Sequence, residues 1–463
     1  FCQFLSGAAY KYPMKRKFWP KKRYIYFIGI GGISMSGLAL FLQKQGFCVA
    51  GSDIAAGSMT AKLEEEGIRV HYGHAPERIG IADAIVVNSA IAEDDVELAE
   101  ARRRNIPVYS RAELLHLVAA CFENSVGIAG CHGKTTATAM CAHVLEECSG
   151  SCSAHIGGED FDYGNFHFGG DRYFVTEACE YKGNFLKLEP NLAVVLNTDK
   201  DHLECYGSAE NLRAAYAEFA RRADGAIVCG EDEIVNMVRP SLTFGMSDEF
   251  DVSASNVRSS GGKYSFHLRI CGEVFDKVKL NVYGKHNIYN ALAAAAVAEY
   301  YGYPPSFAAE GLKKFRGIRR RFEPLGRLNG AELIADYAHH PREISASLHT
   351  AEEICGGRLF VVFQPHTYSR TKLLFGDFVS VLSGVENLVI YKTYPAREYF
   401  DADGSALTLS EHLPNSLYIE SVRELEIYLR CSLGAGDVAL FLGAGDIYFA
   451  AKQIVRNLKN SDS

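Results

Sequence analysis

The chain has 463 residues, of which 48% are hydrophobic and 22% are charged, and its formal net charge is −8. This length predicts about three domains that each bury a core, and the composition is typical of a globular protein. The mild negative charge argues against nucleic acid as the main partner. No apolar run approaches the roughly 20 residues of a membrane-spanning helix, so we expect no stable membrane association.

Thirteen cysteines are scattered along the chain, an odd number without a CxxC pair. This pattern fits neither a disulfide framework nor a zinc site, and it favours reduced thiols in a cytoplasmic protein. Residues 1–22 place an apolar stretch before a basic one, the reverse of a secretory signal. We interpret this segment as an unstructured extension and assign no fold to it.

The first predicted domain, residues 1–123, contains "RYIYFIGIGGISMSGLALFLQKQGFCVAGSD". A strand, a glycine turn, a helix and a second strand that ends at Asp53 form the arrangement of a dinucleotide-binding fold. The glycines of the turn are Gly29, Gly31 and Gly32. They let the backbone approach a diphosphate at the helix N-terminus, and Ser34 replaces a third glycine. Two roles fit Asp53 equally well, a bond to a ribose hydroxyl and a cap on the next helix.

The second predicted domain, residues 124–323, begins with "SVGIAGCHGKTTATAM", again a strand, a glycine turn and a helix. It resembles a phosphate-binding loop, although Gly130 precedes Gly133 by three residues and not by the usual five. Lys134 at this position reaches terminal phosphates, and the Thr135 hydroxyl is available to Mg²⁺. The alternative interpretation is a tight turn with a surface lysine. The Gly-Lys-Thr sequence at a strand–helix junction argues strongly against this alternative. The predicted loop comprises Gly130, Cys131, His132, Gly133, Lys134, Thr135 and Thr136.

A phosphate-binding loop of this kind needs a further carboxylate near its metal. The apolar strand in "RYFVTEACEY" ends in Glu177, and the strand in "NLAVVLNTDKDHLECYG" runs into Asp199, Asp201 and His202. Both strands are predicted to end at the same edge of a parallel sheet, where ligand sites of α/β proteins lie. We therefore predict that Glu177 and His202 are metal or phosphate ligands.

A helix predicted from "YGKHNIYNALAAAAVAEYYGY" carries Asn287 and Asn290, three residues apart and so on one face. Amide side chains offer both a donor and an acceptor to an adenine edge, and the alternative role is capping of the helix start. The arginines of "GIRRRFEPLG" follow at a predicted domain junction. They either reach phosphates or form a solvated basic turn.

The third predicted domain, residues 324–463, repeats the α/β pattern, and polar residues follow the ends of its strands. These residues are Asp336, His339, His340, His366, Arg370, Arg397 and Asp446. Packing alone does not explain so many polar groups at strand ends. They indicate a site at the carboxyl edge of the sheet.

A series of motifs in this order resembles the Mur ligases, the ATP-dependent amide-forming enzymes of peptidoglycan precursor synthesis. After "GIGGISMSGLA" and "GCHGKTTAT" come "KHNIYNALAA", "RRFEPLG", "DYAHHPREI", "FQPHTYSRT" and "GAGDI". The short phosphate loop of that family accounts for the irregular spacing. The resemblance covers nearly the whole chain and is strongest to the alanine-adding branch of the family.

The resemblance implies an α/β protein with a Rossmann-like N-terminal domain, a P-loop-type central ATPase domain with a mostly parallel sheet, and a Rossmann-like C-terminal domain. These domains would bind UDP-N-acetylmuramic acid, ATP with Mg²⁺, and L-alanine, respectively. The resemblance also implies the reaction of that family, in which the muramyl carboxylate is activated as an acyl phosphate and the amine of alanine then displaces phosphate. We expect the enzyme to be a monomer or a homodimer.

The residues implied by the motifs fall into groups according to their ligand. Those for catalysis and metal are Lys134, Thr135, Glu177, His202, His339 and Arg370. Those for ATP, besides the loop, are Asn287, Asn290, Arg320, Arg321 and Asp336. Those for the UDP-sugar are Gly29, Gly31, Gly32, Ser34, Asp53 and Ser89, and those for alanine are Tyr337, His339 and Arg370.

Several positions depart from the commonest pattern of the family, and "EACEYK" keeps Glu177 and Glu180 but loses both aspartates of that stretch. Cys131 replaces a threonine in the loop, Lys182 replaces an acid after Glu177, and Thr367 replaces an arginine. The residues implied for phosphate and metal remain, so we expect an active ligase.

Three other functions compete with this interpretation. A ligase that attaches a whole tripeptide would need a roomier third domain. A nicotinamide-dependent oxidoreductase is suggested by the first glycine turn but leaves the second loop without a role. A catalytically silent UDP-sugar sensor would have no need for Lys134.

Overall fold

The computed structural model describes residues 23–199 and 203–461. This part of the chain divides into two compact units. The first contains the described residues up to Val257, with Phe266–Lys279 and Ile288–Arg316, and the second contains Arg258–Ser265, Leu280–Asn287 and the described residues from Gly317 onward. No helix within residues 23–199 and 203–461 is long and apolar enough to cross a membrane.

The first sheet is parallel and has five strands. Its elements are β1 (Tyr24–Ile28), α1 (Ile33–Lys44), β2 (Cys48–Asp53), α2 (Ser58–Glu65), β3 (Arg69–Tyr72), a 3-10 helix (Pro76–Ile79), β4 (Ala84–Val87), α3 (Val96–Arg103), β5 (Val108–Ser110) and α4 (Arg111–Ala119). The strand order is β3-β2-β1-β4-β5. This order places the glycine turn after β1 at the centre of the sheet, as in a dinucleotide-binding fold.

The second sheet has ten strands and begins at β6 (Asn124–Ala129). Its further strands are β7 (Cys152–Asp160), β8 (Gly164–Phe168), β9 (Tyr173–Glu177), β10 (Leu192–Val195), β11 (Gly225–Cys229), β12 (Leu242–Gly245), β13 (Val252–Ser260), β14 (Lys263–Ile270) and β15 (Glu273–Tyr283). Its helices are α5 (Lys134–Ser149), α6 (Leu203–Tyr206), α7 (Ala209–Arg221), α8 (His286–Tyr300) and α9 (Pro305–Lys314), with 3-10 helices at Tyr181–Lys187 and Glu233–Asn236.

The strand order of the second sheet is β15-β14-β13-β12-β11-β10-β6-β9-β7-β8. The pairings from β13 to β7 are parallel, and β8 is antiparallel to β7. β6 and β10 are buried along most or all of their length, because a parallel sheet is covered on both faces.

The third sheet has six strands in the order β16-β17-β21-β18-β19-β20. They are β16 (Glu323–Leu328), β17 (Ala331–Asp336), β18 (Leu359–Phe363), β19 (Asn387–Tyr391), β20 (Ser416–Ile419) and β21 (Val438–Leu442). Its helices are α10 (Pro341–Ile354), α11 (Tyr368–Leu373), α12 (Phe375–Leu382), α13 (Ala406–Glu411), α14 (Val422–Ser432) and α15 (Ile447–Ser461), with a 3-10 helix at Ala402–Gly404. Its edge strand β16 pairs antiparallel with β17, and the other pairings of this sheet are parallel, so the predicted α/β class is confirmed.

One apolar core joins the first sheet to the second. Helix α1 is buried at every position from Met35 to Leu42, as expected of a helix covered on all sides. Its Phe41 lies 5.2 Å from the Phe166 ring on β8, and Phe122 stacks at 4.7 Å on Phe174 of β9. The same buried cluster extends through both sheets. The first two predicted domains therefore share a core.

A fully buried carboxylate stabilises the first sheet. Glu97 on α3 accepts hydrogen bonds from the Tyr26 hydroxyl at 3.0 Å, the Ser52 hydroxyl at 2.5 Å and the Ala75 amide at 3.2 Å. Glu97→Ala is expected to lower the free energy of unfolding by roughly 3 kcal/mol, because buried donors lose their acceptor. Urea unfolding followed by circular dichroism measures this loss. Glu97→Gln, which keeps an acceptor oxygen, should cost less, and equal losses in the two variants would contradict the explanation.

Candidate active site

The glycine turn after β6 forms a loop at the N-terminus of α5, a helix of 16 residues. Gly133 has φ +83°, and a Cβ atom at this position would lie 2.5 Å from Oδ1 of Asn290. Only glycine therefore fits between the loop and α8. Thr135 is buried in the first turn of α5, and Thr136 beside it is half-buried. The structure thus brings Asn290 together with the predicted phosphate loop.

Asn197, which follows β10, fastens this loop. Its Oδ1 accepts from the His132 amide at 2.9 Å, and its Nδ2 donates to the His132 carbonyl at 3.0 Å. The Cys131 thiol donates to the Asp199 carbonyl at 2.9 Å. The segment after β10 therefore shapes the loop through backbone contacts. Its continuation, with the predicted ligand His202 and with Asp201, lies outside the described residues.

The ammonium group of Lys134 folds back over its own loop. Its Nζ donates to the carbonyl of Gly130 at 2.5 Å, to that of Cys131 at 3.2 Å and to Oε1 of Glu180 at 3.0 Å. Burial lowers the pKa of Lys134, but the Glu180 carboxylate and other acidic neighbours raise the pKa more, so that it lies above its usual value. Lys134 is therefore a cation held at the mouth of the loop.

The carboxylate of Glu177 lies at the end of β9, next to the strand that leads into the loop. In the parallel register Glu177 is opposite Ile128 of β6. Its Oε1 accepts from the Gly157 amide at 2.6 Å, and a Cβ atom on Gly157 would collide with both carboxylate oxygens. Glu177 and Thr135 offer carboxylate and hydroxyl oxygens, the ligands that suit Mg²⁺.

The two predicted adenine-binding amides lie in the first turns of α8. Asn287 is 5% exposed and donates from Nδ2 to the Tyr283 carbonyl at 2.7 Å. Asn290 is 4% exposed and lies against Gly133. Asn287 thus bonds a backbone carbonyl at the start of the helix, a role similar to the helix-capping role that was the alternative interpretation. Asn290, in contrast, lies next to the phosphate loop. The adenine-binding role of both amides stays a prediction.

The two predicted phosphate-binding arginines differ in their surroundings. The Arg320 guanidinium lies 4.8 Å from the Tyr337 ring centre and 5.1 Å from that of Tyr448, and it donates to the Gly445 carbonyl at 2.8 Å. Burial lowers the pKa of Arg320. Arg321 lies 5.1 Å from the Tyr337 ring centre. Because Arg320 is engaged with aromatic rings and a backbone carbonyl, Arg321 is the better candidate for phosphate.

Asp336, predicted to bind ribose, ends β17. Its carboxylate accepts from the backbone amides of Phe322 and Ala338, both at 2.7 Å. Burial raises the pKa of Asp336, while Arg321 and the two amides oppose this rise. The carboxylate therefore braces the segment that carries the arginines, and its predicted contact with ribose stays a prediction.

The predicted alanine-binding residues come together after β17 and β18. Nδ1 of His339 donates to the Tyr337 carbonyl at 3.0 Å, and its ring centre lies 5.9 Å from that of His366. His366 accepts from the Arg370 guanidinium at 3.3 Å. Burial, His339 and Arg370 lower the pKa of His366 to about 4, and burial lowers that of His339. Both imidazoles are therefore neutral near pH 7, and Arg370 carries a permanent positive charge among them.

Thr367 has a strained backbone, with φ +66° and ψ 144°. This region is nearly confined to glycine, and a β-branched residue there costs about 1–3 kcal/mol. Thr367→Gly is therefore expected to raise the free energy of unfolding by about 1 kcal/mol, after allowance for the greater freedom of unfolded glycine. Thermal unfolding measures the change. Ser369→Gly inside α11 serves as the control and should destabilise the protein, so a loss of stability in both variants would argue against strain at Thr367.

The glycine turn of the first sheet is braced by the end of β2. The amides of Gly29 and Ile30 donate to the Ser52 carbonyl at 2.8 and 2.9 Å, and the Gly31 amide donates to Oδ2 of Asp53 at 2.8 Å. Helix α2 begins after Gly57, so the helix-cap alternative for Asp53 is wrong. Asp53 instead holds the turn itself. Gly32 is the residue that precedes α1, and Ser34 lies in its first turn.

A cavity of about 260 Å³ lies beyond the ends of β4 and β5. The predicted residue Ser89 lines it together with Asn88, Ser110, Arg111 and Lys182. Asn88 also donates to the Gly29 carbonyl at 3.4 Å, which connects the cavity to the glycine turn. Arg102 and Glu93 also line the cavity and form an ion pair at 2.5 Å, so the charge of Arg111 and Lys182 makes the cavity suitable for an anionic ligand. Lys182 is at a position where this chain departs from the family pattern.

Sequence reasoning missed Asn197, His155 and Asn165. Asn197 stands just before the charged residues that drew attention to its segment. His155 and Asn165 are 2% and 0% exposed, on β7 and β8. A polar residue inside an apolar strand is the signal that could have marked them, since buried polar groups need partners.

Comparison with known proteins assigns all three parts of the chain to one family. Residues 24–123, 128–298 and 320–445 match, in this order, the "Mur ligase family, catalytic domain", the "Mur ligase middle domain" and the "Mur ligase, glutamate ligase domain". The chain belongs to the Mur ligase family. The three matched segments of this Mur ligase correspond to its three sheets, which confirms the predicted three-domain fold.

Relatives of this Mur ligase cover nearly its whole length. The UDP-N-acetylmuramate–L-alanine ligase of Caldanaerobacter subterraneus subsp. tengcongensis is 37% identical, over 95% of this chain and 98% of the relative. That of Clostridium acetobutylicum is 39% identical, over 92% and 95%. The solved MurC structure from Thermotoga maritima is 30% identical with a TM-score of 0.83, over 95% of this chain and 100% of that one. A murein peptide ligase from Psychrobacter arcticus, 21% identical over 95% and 99% of the chains, shares the fold with a TM-score of 0.73.

Proposed function

We propose that this Mur ligase joins L-alanine to the carboxylate of UDP-N-acetylmuramic acid, with conversion of ATP to ADP and phosphate. The observation that carries the proposal is the cation Lys134 on a glycine loop beside the strand-end carboxylate Glu177. Names of relatives at 37% and 39% identity support the same reaction. A carboxylate and an ammonium do not condense usefully in water, so the carboxylate has to be activated, and phosphoryl transfer from ATP does this.

In the first step a muramyl carboxylate oxygen attacks the γ-phosphorus, and the bond from phosphorus to the ADP oxygen breaks. Lys134 neutralises charge on the phosphate oxygens, and the backbone amides of the loop orient them. Thr135 and Glu177 would hold Mg²⁺, which supplies further charge neutralisation on the phosphates. Asn290, next to Gly133, lies where it can contact the nucleotide.

In the second step the amine of alanine, having lost a proton to solvent, attacks the acyl carbon, and inorganic phosphate leaves. Arg370 binds the alanine carboxylate by charge-assisted hydrogen bonds, with Tyr337 and His339 beside it. The neutral state of His339 and His366 suits this role, because neither repels the amino group of the substrate.

The sugar nucleotide binds at the first sheet. The turn from Gly29 to Ser34 receives the diphosphate, and Ser89 lies in the cavity that begins at this turn. Arg111 and Lys182 supply positive charge to the same cavity. Two anionic groups of the substrate, its diphosphate and its muramyl carboxylate, match this charge.

The decisive experiment measures phosphate release from ATP and Mg²⁺ with UDP-N-acetylmuramic acid. L-alanine, glycine, L-serine and the tripeptide are added in turn as acceptors. Release that requires both the sugar nucleotide and L-alanine is expected. Release with the tripeptide alone would identify the recycling ligase, and tight sugar-nucleotide binding without any release would identify a sensor. Hydride transfer to a nicotinamide is not expected.

We further infer a cytoplasmic enzyme, because its reaction consumes ATP and a UDP-sugar. The expected oligomeric state is a monomer or a homodimer. Sedimentation velocity across a range of protein concentrations distinguishes the two states, and a larger assembly would contradict the expectation.

A further inference from the structure

A buried histidine connects the glycine turn of the first sheet to the strand that carries Glu177. His155 on β7 is 2% exposed. Its Nε2 lies 2.9 Å from the Ser34 hydroxyl and 3.2 Å from the Ser34 carbonyl. Its Nδ1 lies 3.2 Å from the hydroxyl of Thr176, the residue directly before Glu177. One imidazole therefore contacts both the predicted diphosphate turn and the strand of the predicted metal ligand.

The contacts assign the tautomer of His155. A carbonyl oxygen can only accept, so the Nε2 that faces the Ser34 carbonyl carries the hydrogen. Nδ1 is then the acceptor that faces the Thr176 hydroxyl at 3.2 Å, a shorter contact than the 3.4 Å from the same hydroxyl to the Glu177 carbonyl. Burial, followed by the charge of Arg111, lowers the pKa of His155 to about 4, so the ring is neutral near pH 7. The neutral form with hydrogen on Nε2 satisfies all of these neighbours.

This tautomer determines what the Ser34 hydroxyl can do. The hydroxyl oxygen, at 2.9 Å, shares the Nε2 hydrogen of His155 with the Ser34 carbonyl at 3.2 Å, and it also accepts from the guanidinium of Arg111 at 3.3 Å. A serine hydroxyl has two acceptor lone pairs and one hydrogen. With both lone pairs engaged, its hydrogen remains for a third partner, which has to be an acceptor.

The helix start that carries Ser34 is held in place independently of His155. Asn165 on β8 is fully buried and donates from Nδ2 to the Ile33 carbonyl at 2.7 Å and to the Ser36 hydroxyl at 2.9 Å. Gly37 allows this close approach, since a Cβ atom there would lie 3.2 Å from the Asn165 carbonyl oxygen. Loss of the His155 contacts should therefore change the direction of the Ser34 hydroxyl more than the position of α1.

We propose that His155 is a positioning residue for the sugar nucleotide, which it serves by directing the Ser34 hydroxyl hydrogen at an anionic oxygen of the diphosphate. This inference rests on the proposed function. It pairs two features of this chain, the serine that replaces a third glycine in the turn and a histidine located 121 residues later. Thr176 holds the histidine in the required tautomer, as a hydrogen-bond partner of a functional imidazole commonly does.

The test measures the Kd of UDP-N-acetylmuramic acid by calorimetry and the KM values for the sugar nucleotide and ATP. The variants are Ser34→Ala, His155→Phe, the corresponding double variant, His155→Gln and Thr176→Val. Ser153→Ala is the matched control, because its hydroxyl lies on the same strand but donates to the Gly170 carbonyl at 2.6 Å. Both Ser34→Ala and His155→Phe are expected to weaken sugar-nucleotide binding roughly tenfold, as for loss of a hydrogen bond to a charged group.

The decisive readout is the lack of additivity. The double variant should bind no more weakly than Ser34→Ala, because His155 acts through the Ser34 hydroxyl. His155→Gln keeps an N–H donor near the Nε2 position and should recover most of the affinity, Thr176→Val should lose part of it, and KM for ATP should stay unchanged throughout.

Additive losses, or unchanged binding in His155→Phe, would overturn the inference and leave the proposed function intact. If His155→Phe does not fold, the affinities of Thr176→Val and Ser153→Ala for UDP-N-acetylmuramic acid are compared. Equal affinities in these two variants would overturn the inference. Absence of sugar-nucleotide binding in the unsubstituted enzyme would instead overturn the proposed function and this inference together.

Discussion

Lys134→Ala is expected to reduce kcat for phosphate release by about 10³-fold, because the phosphates lose a fixed cation. The same change leaves Glu180, which is 1% exposed, without its ion-pair partner at 3.0 Å. Breaking a buried pair from one side costs about 3–5 kcal/mol. Lys134→Ala should therefore lose both activity and stability, measured by phosphate release and by urea unfolding.

A double variant separates the two effects. Lys134→Met with Glu180→Gln removes both charges and keeps the side-chain volumes, so it is expected to recover most of the lost stability and none of the lost activity. If the double variant recovered activity as well as stability, a positive charge at position 134 would not be required for the reaction. Unchanged stability in Lys134→Ala would show that the pair with Glu180 is not formed in solution.

Gly157→Ala is expected to lower kcat about 10²-fold without any change to a group that contacts substrate. The added methyl group would collide with both carboxylate oxygens of Glu177 and displace them from the loop. A shift of about 1 Å in a catalytic group can cost this much. The Mg²⁺ concentration for half-maximal activity should rise with it, and a titration of activity with Mg²⁺ measures both quantities.

Gly57→Ala is the matched control for this experiment. No heavy atom lies within 4 Å of a Cβ atom at Gly57, and its φ of −158° suits any residue. Normal activity in Gly57→Ala and a loss in Gly157→Ala would assign the effect to Glu177. An unaltered Mg²⁺ requirement in Gly157→Ala would contradict the role of Glu177 as a metal ligand.

The sequence predicted the structure best where a single short stretch contains all the residues that a phosphate-binding turn needs. The turns around Gly31 and Gly133 each lie between an apolar strand and the start of a helix. In both cases the strand, the small residues of the turn and the helix follow one another within a few residues. Such local patterns predicted the α/β class. They also placed the loop with Lys134 after β6 and Glu177 at the end of the neighbouring parallel strand β9. The regular alternation of strands and helices predicted the third sheet for the same reason.

Contacts between distant parts of the chain could not be predicted in this way. Asp53 had two local interpretations, and its bond to the Gly31 amide depends on the exact position of β2 beside the turn. The pairing of Ser34 with His155 depends on the packing of α1 against β7, which no local pattern records. The aromatic surroundings of Arg320 likewise come from two distant segments, those of Tyr337 and Tyr448.

The apolar core shared by the first two sheets has a consequence for synthesis on the ribosome. N-terminal domains of many proteins fold as soon as they leave the exit tunnel. Here the surface around Phe41 and Phe122 is covered by Phe166 and Phe174 from the second sheet. The first sheet can therefore complete its core only after translation has passed β9. Until then the nascent chain exposes aromatic side chains that chaperones recognise, and its folding is tied to the emergence of the ATP-binding part.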